Sequence, residues 1–127
     1  MTIKQSVSIK ASAEQVYNAL TSADQFSVVT GADAKISTDE GGAFACFGGQ
    51  ITGRQIELVP NERIVQSWRV ENMWPEGIHS TVRFDLSESG DTTTIDLEQT
   101  GHPDDATEHL EPGWQKMYWG PLKAYLE

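Results

Sequence analysis

Basic residues and cysteine are both scarce in this chain. Nine Lys and Arg stand against nineteen Asp and Glu in 127 residues, a formal charge of −10. The averaged field therefore repels phosphate backbones and anionic membrane surfaces, so neither nucleic acid nor a membrane is an expected partner. Cys46 is the only cysteine. It excludes an internal disulfide, offers no cysteine cluster for zinc, and fits a reducing, cytoplasmic setting. Within Ala43-Phe44-Ala45-Cys46-Phe47 it reads as a small buried hydrophobe. No apolar run approaches the roughly 20 residues needed to cross a bilayer. The opening MTIKQSVSIKAS alternates polar and apolar residues and lacks the continuous apolar core of a secretory signal.

The signatures of covalent chemistry are missing as well. No G-x-S-x-G elbow presents a nucleophile. The pairs Gly41-Gly42 and Gly48-Gly49 are followed neither by Lys-Ser/Thr nor by a helix start, so they read as hairpin turns rather than phosphate cradles. His102, Asp104, Asp105, Glu108, His109 and Glu111 crowd together, but their spacing fits no metal motif, and a turn leading into an acidic helix N-terminus accounts for them. No metal, no cofactor and no catalytic residue is assigned. An enzyme would need a polar side chain of perturbed pKa inside a cavity, and Arg69, His79 and Glu98 are the residues to check.

What the chain does contain is a clear change of period. Ile3, Val7 and Ile9 share one face of an opening strand, with Lys4, Ser6, Ser8 and Lys10 on the other. Ser12, with Gln15 three residues later, predicts a capped helix carrying Val16, Ala19 and Leu20. Ser22 caps a second short helix with Phe26 and Val29. Turn residues then recur at close spacing, and the intervening runs predict strands near 34–39, 43–48, 50–59, 63–71, 78–87 and 92–100. No helical period separates them, so the sheet is expected to be an antiparallel meander. After Gly101-His102-Pro103 the period turns helical: Trp114, Met117, Tyr118, Pro121, Leu122 and Tyr125 fall on one face, and Gly120-Pro121 predicts a bend. The order predicts an α+β fold: a curved antiparallel sheet of six or seven strands wrapped around a long C-terminal helix, with two short helices after the first strand.

The segment GGAFACFGGQITGRQIELVPNERIVQSWR from Gly41 to Arg69, with Trp74-Pro75, with Gln99-Thr100-Gly101-His102-Pro103 and with Gly113-Trp114, resembles the activator of heat-shock protein 90 ATPase homologue family of the START-like (SRPBCC) superfamily. The resemblance covers nearly the whole chain and implies one helix-grip domain over residues 1–127. It also implies, as in many relatives, an inner cavity for apolar small molecules. In the eukaryotic activators the corresponding domain forms the C-terminal half of a longer protein, so the domain that precedes it there has no expected counterpart here.

Alternation along the strands places Trp68 inward with Ile64 and Val70, and Arg69 on the opposite face towards solvent or an edge. Phe44 and Cys46, then Val82, Phe84 and Leu86, extend the inner rows. These rows either fill a core or leave a space beneath the terminal helix. The expected function is a non-catalytic domain that binds an apolar small molecule between sheet and helix, lined by Phe44, Trp68, Phe84, Trp114, Met117 and Tyr118. The alternative is a chaperone regulator acting through its surface, with heat-shock protein 90 as the partner that the resemblance implies.

Overall fold

The opening alternation becomes β1 (Ile3–Ile9), with Ile3 and Ile9 buried and Lys4, Ser6 and Ser8 exposed. A computed structural model describes residues 2–127 of the chain. Ser12 lies just beyond the strand and caps α1 (Ala13–Thr21). Its hydroxyl accepts from the Gln15 N–H at 3.1 Å, and the Gln15 side chain accepts from the Ser12 N–H at 2.9 Å, the reciprocal pattern expected from these two residues. Ser22 closes α1 and caps α2 (Ala23–Thr30), and Gly31 ends α2 in the left-handed region at φ 72°.

The remaining strands are β2 (Lys35–Ile36), β3 (Ala43–Cys46), β4 (Ile51–Val59), β5 (Arg63–Val70), β6 (Ser80–Ser89) and β7 (Thr92–Thr100). They join β1 in one seven-stranded sheet of order β1-β7-β6-β5-β4-β3-β2. Every pairing is antiparallel, and the first strand closes on the last with Ile3 opposite Gln99. The ends differ from the sequence expectation where turn chemistry intervenes. The strand expected over 34–39 is only two residues long. The run over 43–48 stops at Cys46, because Phe47, Gly48 and Gly49 take positive φ angles of 55°, 67° and 93°. Ile78 and His79 stay in the loop ahead of β6, which runs on to Ser89. Gly53 is required for a different reason: a Cβ there would collide with the Ser67 carbonyl of β5 and the ring of Phe44.

The terminal helix runs over 107–126 as α3 (Thr107–Trp114), a π-helical turn (Gln115–Trp119) and α4 (Gly120–Leu126). The expected irregularity lies one turn ahead of Gly120-Pro121. Pro121 has no N–H to give and its ring would strike the carbonyl four residues back, so the preceding turn widens and Gly120 N–H bonds the Gln115 carbonyl instead. The widening also changes which residues face inward. Trp114, Tyr118, Trp119 and Leu122 are buried, whereas Met117 and Tyr125 are each 40% exposed. An α-helical wheel assigns Met117 and Tyr125 to the inner face and misses Trp119, because it assumes a constant turn. The core beneath this helix holds Ile64, Trp68, Val82, Phe84, Ile95 and Leu97 from the sheet and Val16, Leu20 and Phe26 from α1 and α2.

Candidate functional site

Three indoles meet at one end of the sheet. Trp68 projects inward from β5 and lies 5.4 Å from Trp114 of α3 in a stacked pair, and 5.8 Å from Trp74 of the β5–β6 loop. Tyr118 packs on Trp114 with ring centroids 4.4 Å apart. Buried indole and phenol groups need partners, and the sheet supplies them. Trp114 Nε1 donates to Gln99 Oε1 at 2.9 Å, Gln99 Nε2 donates to Ser80 Oγ at 3.0 Å, and Ser80 Oγ donates to the Trp68 carbonyl at 2.8 Å. Trp68 Nε1 donates to Tyr118 Oη at 3.4 Å. This chain ties α3 to β7, β6 and β5, which fixes both walls of the space between helix and sheet.

That space is a solvent-open cleft of about 370 Å³. Trp68, Trp74, Trp114 and Tyr118 line it together with Ile51, Val70 and Leu110, the exposed Met73 and the half-exposed Met117 stand at it, and Gln50, Asp105 and His109 supply its polar groups. Of the residues singled out from the sequence, Trp68, Trp114, Met117 and Tyr118 are brought together here. Phe44 and Phe84 are not. They pack deeper, with Leu20, Phe26, Cys46 and Tyr118, around a void of only about 10 Å³, which holds at most a single water. Both possibilities left open by the inner rows thus occur: a filled core under Phe44 and Phe84, and an open cleft beyond Trp68.

Among the wall residues that sequence reasoning passed over, Met73 and Trp74 come from the loop between β5 and β6. Its signal is a Met-Trp pair set in the polar stretch Glu71 to Ile78. Arg69 explains how this loop is held. Although it points away from Trp68, as expected, it does not reach open solvent but is 9% exposed. Its guanidinium donates to the carbonyls of Trp74 at 3.3 Å, Pro75 at 2.9 Å and Ile78 at 3.0 Å, and to the Glu71 carboxylate. A planar fork of five donors suits such multiple acceptance. Arg69 therefore anchors the backbone of the segment whose side chains form the cleft wall.

The remaining candidates lie elsewhere. His79 is exposed in the loop before β6, and Glu98 is exposed on the outer face of β7, 3.8 Å from Lys4. Among the described residues no group of three His, Cys, Asp or Glu side chains could hold a metal ion. The acidic stretch after Pro103 forms a 3-10 turn (Asp104–Ala106) and the start of α3. His102 is buried ahead of it, with Nε2 3.0 Å from Thr107 Oγ1 and no hydrogen-bond partner for Nδ1. Burial pushes its pKa below the ordinary imidazole value, against the pull of Asp104 and Glu111. Cys46 is buried, and desolvation pushes its thiol up to about 12, so it is an inert packing residue. Among the described residues no helix is long and apolar enough to cross a membrane.

The same architecture occurs in solved proteins. A heat-shock protein 90 activator from Plasmodium falciparum superposes with a TM-score of 0.89 at 23% identity over 98% of this chain and 94% of that one, a likeness of fold. The Aha1 dimer from Colwellia psychrerythraea gives 0.84 at 25% identity over 100% and 96%. Among curated sequences, an activator of 90 kDa heat shock protein ATPase homolog from Dictyostelium discoideum is 33% identical over 96% of this chain, and the human homolog 1 is 31% identical over 88%. The chain spans about a third of the length of these relatives, 32% and 33% respectively. Residues 10–127 match the model of the family described as Activator of Hsp90 ATPase homolog 1-like protein, and the chain belongs to that family.

Proposed function

We propose that this helix-grip domain binds an apolar, ring-containing small molecule in the cleft between β5 and α3, without covalent chemistry. The observation that carries the reading is the cleft itself. Its volume of about 370 Å³ suits a ligand of two or three rings, and its floor is Trp68, Trp114 and Tyr118, tied together by the Gln99, Ser80 and Tyr118 hydrogen bonds, with Trp74 beside them on the loop that Arg69 anchors. Rigid aromatic walls give large contact area at little entropic cost. The test is a titration of tryptophan emission against flavonoids, steroids and fatty acids, repeated with Met117→Lys. Because Met117 is half-exposed, a lysine there can extend its ammonium into water. The variant should keep its stability to within about 1 kcal/mol while weakening the uncharged flavonoids and steroids several-fold. A flat response across the panel removes the proposal.

A second reading, a chaperone regulator acting through its surface, is supported by the names of the relatives, which are activators of a heat-shock protein 90 ATPase. It needs no cleft and is tested separately by ATPase stimulation.

A further inference from the structure

We infer that the cleft selects for positive charge, so that its preferred ligand is an aromatic amine rather than a fatty acid or another apolar acid. The inference rests on the proposed apolar-ligand site and names the class it takes. Among the described residues no Lys or Arg lines the cleft, and Asp105 is the only carboxylate that does. Arg69 lies close in the chain, but its guanidinium is committed to Glu71 and to the carbonyls of the loop behind Trp74. Lys116, adjacent to Met117, is exposed and outside the lining. His109, exposed at the rim, is the one basic side chain present.

An anionic head group entering this space would give up hydration without gaining a cationic partner, which is costly. A cation meets the opposite situation. Indole and phenol rings carry negative faces that attract cations within about 6 Å, and Trp68, Trp74 and Tyr118 line the cleft together with Trp114, which is itself stacked between Trp68 and Trp119. The thioethers of Met73 and Met117 are soft and polarizable, and Asp105 offers a counter-charge at the edge. The overall charge of −10 adds a long-range bias of the same sign.

Three matched probes separate these contributions: 2-naphthylmethylamine, 2-naphthylmethanol and 2-naphthoate, measured by calorimetry with amide chemical-shift mapping. The amine is expected to bind about 5-fold more tightly than the alcohol, a gain typical of a cation over an aromatic surface, and the naphthoate most weakly. Asp105→Asn, at an exposed turn position, should lower amine affinity about 3-fold, the size of an exposed charge contact, and leave the alcohol unchanged. If the alcohol or the naphthoate binds in the cleft as tightly as the amine, charge selection is overturned while the apolar-ligand reading stands. If the amine preference survives Asp105→Asn in full and vanishes in high salt, it belongs to the net charge, and selection by the cleft is overturned. If none of the probes shifts the amides of Met73, Trp74 and Met117, the apolar-ligand site itself fails, and the inference with it.

Discussion

His102 is a buried group whose protonation state the fold constrains within the range of ordinary pH. It is 5% exposed, bonded to Thr107 through one ring nitrogen and to nothing through the other. Since its pKa is lowered in the native state, the unfolded chain takes up a proton first as pH falls. The unfolded state then binds more protons, so this contribution to stability is present above the ordinary value of about 6.5 and is lost as pH drops below it. The urea midpoint should fall between pH 7.5 and pH 5.5, and His102→Gln should flatten that fall; an unchanged slope in the variant would show that other groups are responsible. Trp119 makes a contrasting case at the same scale. It is 2% exposed, stacks on Trp114 at 5.7 Å, and its Nε1 donates to Gln5 of β1 at 2.8 Å. Trp119→Ala should cost about 3–5 kcal/mol, as expected for truncating a fully packed aromatic. Thermal denaturation measures it directly, and a loss below 1 kcal/mol would mean the π turn readjusts to fill the space.

Among the elements, the β5–β6 loop depends most on a single side chain. Arg69 satisfies carbonyls of Trp74, Pro75 and Ile78 that no strand pairing reaches. Arg69→Met keeps the apolar stem and deletes these charge-assisted bonds, so a loss of about 2–3 kcal/mol is expected. Hydrogen exchange should quicken in residues 71–79 before it changes in β4 or β7. Ligand affinity should fall with it, because Trp74 and Met73 would no longer be held in the wall. Uniform exchange across the sheet would instead indicate global destabilisation and remove the anchoring role. The terminal helix shows a second dependence between elements: Pro121 in α4 forces a wider turn in the preceding residues, and that turn brings Trp119 inward at the expense of Met117.

For the molecule as a whole, the question is how much of an activator's effect the region matched here carries by itself. Contacts distributed over linked surfaces gain affinity through effective concentration, and a single region assayed by itself lacks that gain even when its own surface is intact. Since the matched region is about a third of the Dictyostelium and human activators, this chain alone is expected to stimulate a heat-shock protein 90 ATPase weakly or not at all. A coupled ATPase assay at micromolar concentrations decides the matter, and several-fold stimulation would place chaperone regulation ahead of ligand binding.

The sequence by itself determined the element order, the antiparallel meander, both helix caps and the inward rows through Trp68 and Phe84. These rest on local rules: a hydroxyl within reach of its own helix start, side-chain alternation of period two, and turn residues that interrupt pairing. Part of the cleft was legible in the same way, since Trp68, Trp114 and Tyr118 follow from strand and helix periodicity. Only the tertiary structure decided that Phe44 and Phe84 fill a closed core while Met73 and Trp74 complete an open wall. It also decided that Trp119 replaces Met117 on the inner face. Neither outcome is written in a local period, because each depends on how close two elements approach: the void left between sheet and helix is set by packing across the chain, and the widened turn by a proline whose effect is felt one turn away.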